Sequence, residues 1–378
     1  MANNNKHTGP NVPALRFPEF SGEWESCTLG DITNNFSRRN KDRIQYPMFS
    51  VTNNRGFVPQ SEQFEDREMF GEDIQAYKVI EKGDFAYNPA RINVGSIAKY
   101  EGNGKCMISS LYVCFNTIDR IDRDWFMHLL KTPKMNFYYN LNGEGGVRVY
   151  LFYPNFARIR SSYPSLAEQK KIAAMLSLID ERIATQSKII EEQETFLKSL
   201  ADKLFLQNNH SCQLSEIVNI VKGKQLNADT LSETGDYYVM NGGITPSGYY
   251  SEYNVPAGAI SISEGGNSCG YVQFNEKPFW SGGHCYSLQC RTNLVDYKYI
   301  YYYLKTKEAD VMALRFGSGL PNIQKKDIEK FTISYPSLQL QKQFVKALYA
   351  LSGKINTEKN LLEKYCQQKS YLLSQMFI

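Results

Sequence analysis

At 378 residues, 42% hydrophobic and 22% charged, the chain is long enough to bury two or three cores, and its composition is neither collagen-like nor that of a disordered polymer. A net charge of +4 is too small to mark a polyanion-binding protein by itself, and no stretch approaches the roughly 20 apolar residues of a membrane span. Eight scattered Cys with no C-x-x-C pair set aside a disulfide framework and a zinc ribbon, leaving reduced packing residues.

Residues 1–10 are polar with no apolar run behind them and read as a flexible tail, not a secretory signal, which predicts a cytoplasmic protein. Residues 11–161 mix β-like runs with Gly turns. In order come LGDITN (29–34), SVTNNRGF (50–57), KGDFAYNPARINVGSIAKY (82–100), a short amphipathic helix in IDRDWFMHLLKT (121–132) and the Gly-rich NGEGGVR (142–148). The chain's 26 Tyr and 21 Phe, set among Gly and Asn, suit β-rich domains with polar loops.

SYPSLAEQKKI at 162–172 opens a helical region over 162–207. Its apolar residues Ile172, Leu176, Ile179, Ile183, Ile190, Leu197, Leu200 and Leu204 step by four and three, with Gln186 and Gln193 in the remaining places. That spacing is the a/d seam of a coiled coil, in which a 3.5-residue repeat keeps one stripe against a partner helix. Some 40 residues at about 1.5 Å each make a rod of about 60 Å.

Residues 208–333 then repeat the first segment loosely: LSEIVN (214–219), VMNGGITPSG (239–248), AGAISISEGGNSCGYVQF (257–274), VDYKYIYYYLKT (295–306) and FGSGLPN (316–322). SYPSLQLQKQF at 334–344 restates the opening of the first rod 172 positions later. A second rod over 334–378 follows, with Phe344, Leu348, Leu351, Ile355, Glu358, Leu362, Tyr365, Lys369, Leu372 and Met376 in the same phase. Both rods start after Pro-Ser, where Ser165 and Ser337 can cap the first turn. One stripe alone would suit packing on a neighbouring domain. Two matched stripes are covered most economically by each other, with Gln186, Gln193, Glu358 and Lys369 fixing register at some cost in stability. Heptads leave the relative direction of the rods open.

Catalytic signatures do not stand out. There is no G-x-x-x-x-G-K-[ST] phosphate loop, and YNPA (87–90) departs from the N-P-P-[YF] signature of adenine methyltransferases at Ala90 and Arg91. His284, Cys285 and Cys290 lack a second half of a metal site, so no metal is assigned. The two segments share a frame while their polar loops differ, as expected of two related surfaces that read different things.

With repeat, heptads and loops in view, the chain resembles the specificity subunit of type I restriction-modification systems. The resemblance rests on VPALRFPEFSGEWES (12–26), LGDI, KGDF with NPARINVGS, GSGLPNIQKKDI (317–328), and YPSLAEQKKIAAMLSLIDERI with its second copy YPSLQLQKQ. It covers everything beyond the first ten residues. It implies an α+β chain of two similar mixed α/β target recognition domains, separated by two long helices that pair as a pseudo-twofold antiparallel coiled coil. Such a chain has no catalysis of its own and binds no cofactor. Its expected partners are double-stranded DNA, two methyltransferase subunits that carry S-adenosylmethionine and methylate adenine, and two restriction-translocase subunits that use ATP and Mg2+. Each domain would read one half of a split target, with the rods setting the spacer; half-sites a helical turn apart, about 34 Å, lie within a rod's span. Leu340 stands where the first copy has Glu168, which questions any polar contact ascribed to that Glu.

For direct readout, loop position and side-chain chemistry single out Asn53, Asn54, Arg55, Arg91 and Asn93 in the first domain, and Asn241, Thr245, Asn267 and Ser268 in the second. Asn can pair twice with adenine and Arg with guanine, whereas Lys105, Lys222 and Lys224 suit phosphates. Two other classes compete. A self-sufficient methyltransferase or nuclease with fused recognition domains would act without partners, and a non-DNA scaffold of duplicated domains would show no salt-dependent affinity for duplex.

Overall fold

Thr28 precedes a single helical turn, Leu29–Ile32, whose first amides are tied down by Asp31: the Thr28 amide and hydroxyl both donate to the Asp31 carboxylate at 2.7 Å. Those bonds hold the Asp31 carboxyl below the usual carboxylate range. Gln213 and Glu216 do the same for Leu214–Ile217, with the Gln213 amide donating to Glu216 at 2.7 Å. These twin turns begin two copies of one frame. The computed structural model describes residues 11–62, 74–145, 149–206, 210–317, 319 and 321–378. The expected tail (1–10) lies outside them, as do 146–148 and residues 318 and 320 in the two Gly-rich loops. The chain divides into two compact units, residues 1–185 with 361–378, and residues 186–360.

In the first unit, Glu25–Thr28 pairs antiparallel with Arg160–Tyr163, the strand that leads into the first long helix. A four-stranded antiparallel sheet runs in the order Thr33–Phe36, Val113–Thr117, Phe85–Tyr87, Ile97–Lys99. Two ladders flank it, Phe49–Thr52 with Gly56–Pro59 and Lys78–Ile80 with Cys106–Ile108. The core is aromatic: Phe85 stacks on Phe115 at 5.2 Å, and Trp125, Phe126 and Phe156 are fully buried around them. Burial pushes the thiols of Cys106 and Cys114 up to about 12, so they stay protonated and pack as small apolar groups.

The second unit repeats this order. His210–Gln213 pairs with Thr332–Tyr335, and the sheet runs Val218–Lys222, Cys285–Cys290, Ala259–Ser263, Val272–Asn275. Even the register is kept: Phe85 opposite Lys99 and Tyr87 opposite Ile97 become Ile260 opposite Phe274 and Ile262 opposite Val272, each 175 residues later. Outside the frame the copies part. Tyr237–Met240 pairs antiparallel with Tyr249–Tyr250 and parallel with Phe279–Ser281, where the first unit has its two ladders.

The heptad regions form two long helices, Leu166–Phe205 of 40 residues and Leu338–Gln375 of 38. Ser165 caps the first, its hydroxyl accepting from the Glu168 amide at 3.3 Å. Every seam position named above is buried or half-buried, including Gln186 at 7% exposure. The helices pack antiparallel. In the first unit Ile172, Ala173 and Leu176 near the start of one share a core with Leu373, Met376 and Phe377 at the end of the other. In the second unit Ala201 and Phe205 at the end of the first share a core with Phe344 and Leu348 near the start of the second. Two long-range polar pairs follow the same course, Asp180 with Lys369 and Gln186 with Glu358, and Glu194 also pairs with Lys359 across the helices. The stripes thus cover each other along their length and enter the domain cores at their ends.

The repeated YPSL-x-x-Q has a definite structural cause. Gln169 is fully buried; its side-chain carbonyl accepts the Asp122 amide at 2.7 Å, and its amide donates to the carbonyls of Pro164 at 2.8 Å and Arg120 at 3.1 Å. Gln341 makes the same three bonds to the Asp296 amide (2.7 Å), Pro336 (2.9 Å) and Leu294 (3.3 Å). Asp122 and Asp296 are the N-caps of Arg123–Leu130 and Tyr297–Thr306. In each unit one glutamine therefore fastens the start of a long helix to the start of a short one.

Candidate nucleic-acid interface

In the first unit the polar loop 88–96 joins the strands Phe85–Tyr87 and Ile97–Lys99. Its shape is set locally. The Asn88 side chain accepts the Ala90 amide at 3.0 Å, Ile92–Val94 makes a tight turn over the buried Ile92, and Gly95 returns the chain with φ +95°, a backbone that favours glycine. The buried Ser96 hydroxyl donates to the Val51 carbonyl at 2.7 Å, and a Cβ on Gly95 would lie 3.5 Å from Asn53. Loop 88–96 and the hairpin turn at 53–55 therefore share one face.

That face brings Asn53, Asn54, Arg55, Arg91 and Asn93 together. All but the half-buried Asn93 are exposed. Asn93 donates to the side chain of Asn140 at 3.0 Å, which adds the helix Pro133–Asn142 to the face, and Val94, Phe137 and Leu141 stand exposed beside this bond. Arg55 pairs at 2.6 Å with Glu62 in a solvent-exposed bridge that a competing anion can displace. Lys105 belongs to another group, bonding Glu81 at 2.8 Å while Arg38 bridges Glu81 and Asp84. The Lys105 bond, then Arg38, holds the Glu81 carboxyl below its ordinary range. Asn140 escaped the sequence reading because only tertiary contact brings it to loop 88–96.

In the second unit several loops meet at Glu264, which is 4% exposed. Its Oε1 accepts from Lys222 Nζ at 2.6 Å and from the Tyr286 hydroxyl at 2.8 Å. Its backbone amide donates to the His284 carbonyl at 2.9 Å, and its carbonyl accepts the Ile323 amide at 2.8 Å. Asn241 accepts the His284 amide at 3.1 Å, and Ser263 donates to the Gly242 carbonyl at 2.5 Å. Asn241 and Lys222 thus hold the loops in place, while Thr245, Asn267 and the side chain of Lys224 are exposed. Ser268 is half-buried, its carbonyl accepting the Tyr271 amide at 2.9 Å. The Lys224 main chain is fixed by Ser281 and by the Trp280 indole, both at 2.8 Å. Burial raises the Cys285 thiol to about 11.

The frames explain how unlike loops reach like places. The Leu151 amide donates to the Pro89 carbonyl at 3.0 Å as Ile323 does to Glu264, and Gly95 and Gly270 turn at φ +95° and +89° after matching strands. Glu264 thus occupies the site of Pro89. A lone Glu after the run AISIS was its only signal in the sequence.

Comparison with known proteins agrees with this duplication. The family model described as type I restriction modification DNA specificity domain matches residues 21–195 and again 208–364. A Mycoplasma genitalium protein named for a type I specificity subunit is 27% identical over 226 residues, 56% of this chain; the match spans 59% of that relative's length. The type I restriction enzyme MjaX specificity subunit of Methanocaldococcus jannaschii is 23% identical over 96% of this chain and 95% of its own. The crystal structure of a type I restriction-modification S subunit from M. genitalium superposes with a TM-score of 0.68 at 20% identity, covering 97% of this chain and 99% of that one, and so shares the fold. Two copies of one frame, each with its own loop face and each matched by the same domain, lead to one assignment: the chain belongs to the type I restriction modification DNA specificity domain family and carries that domain twice.

Proposed function

We propose that this chain is the sequence-reading, non-catalytic subunit of a type I restriction-modification complex. Each globular portion, residues 11–161 and 208–333, reads one half of a bipartite duplex target, and the paired helical regions 162–207 and 334–378 set the unread spacer. Methyltransferase subunits supply S-adenosylmethionine and adenine methylation, and restriction subunits supply ATP- and Mg2+-dependent cleavage; two of each, with this chain, complete the assembly inside the cell. The observation that carries this reading is the conserved frame with exchanged loop contents, Pro89 and Arg91 in one copy against Glu264 and Gly266 in the other.

In this reading Asn53, Asn54, Arg55, Arg91, Asn93, Asn241, Thr245, Asn267 and Ser268 face bases, and Lys105, Lys222 and Lys224 face phosphates. Mapping methylated adenines in DNA from cells that carry this chain and its partners should give one split motif; an unsplit motif overturns the two-reader arrangement. Arg91→Ala should weaken discrimination at one base pair by about 1–3 kcal/mol and leave the other half-site untouched. The readout is methylation of targets altered one position at a time.

A further inference from the structure

Glu264 carries an oxygen that none of the described residues satisfies. Oε1 takes bonds from Lys222 and Tyr286, while Oε2 is buried with no hydrogen-bond partner among the described residues. A carboxylate oxygen left so is costly unless another group completes it. Facing it at 3.6 Å is Nδ1 of His284, whose side chain is 60% exposed. The imidazole thus has one nitrogen toward a buried carboxylate, in a loop whose ends are fixed by Asn241 and by the Glu264 backbone.

Resting on the DNA-reading role proposed above, we propose that His284 binds a backbone phosphate of the second half-site and takes up a proton as it does so, with Glu264 as the positioning residue behind it. Neutral imidazole has a single N–H and cannot donate to both acceptors; imidazolium has two, one for Glu264 Oε2 and one for a phosphate oxygen. Both bonds then join a cation to an anion, the stronger kind. One proton moves from solvent to the ring, an O–H bond of hydronium breaking as the second ring N–H bond forms. The other groups around the ring do not compete for that proton. Lys222 already bonds Oε1, burial and then the Glu264 bond keep the Tyr286 hydroxyl protonated, and burial does the same for the thiols of Cys285 and Cys269, the latter near Arg315. Pro89 replaces the carboxylate in the first unit, so the effect belongs to one domain alone.

The test measures affinity of the full chain for a labelled duplex bearing its mapped target, at fixed ionic strength, at pH 6 and pH 8. Because only the doubly protonated ring serves both acceptors, wild type should bind about tenfold more tightly at pH 6 than at pH 8. His284→Gln, at an exposed position, should bind as wild type does at pH 8 and lose the gain at pH 6. Its slope of log affinity against log salt should be flatter by about 0.9 at pH 6 and unchanged at pH 8. Glu264→Gln, which keeps His284, should show a smaller gain at pH 6 than wild type. A His284→Gln protein that retains the full gain overturns the proposal, and titration of other histidines cancels in that comparison. Absence of salt-dependent duplex binding by wild type at either pH would instead overturn the DNA-reading role.

Discussion

Arg16 and Glu168 form a nearly buried pair: Glu168 is 1% exposed, and Arg16 reaches it with Nε at 2.8 Å and Nη2 at 2.7 Å. The Trp24 indole adds a longer bond at 3.4 Å. The polar contact that Leu340 placed in question is thus made by the first copy, and Leu340 is 38% exposed with no charge to satisfy. Arg16→Ala strands a buried charge and should cost about 3–5 kcal/mol in urea unfolding, whereas adding Glu168→Leu, as in the second copy, should recover most of it. His128 is a different buried polar residue. Burial, more than the opposing Asp180, pushes it down to about 4. The folded chain therefore keeps it neutral while the unfolded chain protonates nearer 6.5, so stability is full above that pH and falls as pH drops toward about 4. The loss should be on the order of 3 kcal/mol and shrink in His128→Gln, as read from unfolding free energies at pH 7 and pH 4.5. Turn-forming Asn, Arg and Gly at 53–55 and 88–96 marked the first face in the sequence. Glu264 and Asn140 left no such mark, because their roles come from loops distant along the chain.

At the scale of elements, Gln169 and Gln341 explain why eleven residues recur. Each satisfies three main-chain groups. Gln169→Leu should cost about 2–4 kcal/mol and speed amide exchange in Arg123–Leu130, and Gln341→Leu should do the same in Tyr297–Thr306. The long helices were legible because a 3.5-residue stripe is local information. Their direction was not, since a heptad seam reads alike from either end, and only pairs such as Asp180 with Lys369 decide it. The short helices were legible too, from their amphipathic runs, while their Asp122 and Asp296 caps were found in the structure. The partners of Tyr237–Met240, one antiparallel and one parallel, depend on long-range pairing, which the first copy reduces to a hairpin and a single parallel bridge between Met48 and Met107.

For the molecule as a whole, each unit is completed by the far end of the helix that begins in the other. Phe377 stacks on Trp125 at 5.8 Å in the first unit, and Phe205 meets Tyr299 at 5.4 Å in the second. Removing residues 361–378 should therefore loosen the first unit although residues 1–185 remain, visible as lost protection around Trp125, while the core around Ile260 keeps its own. Duplication was legible from the repeated phrases; this exchange of ends was not, because it follows from helix direction. Gln186 and Glu358 carry a last consequence. They stand 172 residues apart, at one place in the two copies, yet they meet: the Gln186 amide donates to the Glu358 carboxylate at 2.7 Å. Were two second helices from separate molecules to associate in the same antiparallel register, that place would set carboxylate against carboxylate, with no donor between them. Glutamine opposite glutamate thus acts as a label of kind, turning the C-terminal helix away from its own likeness and toward its unlike sibling.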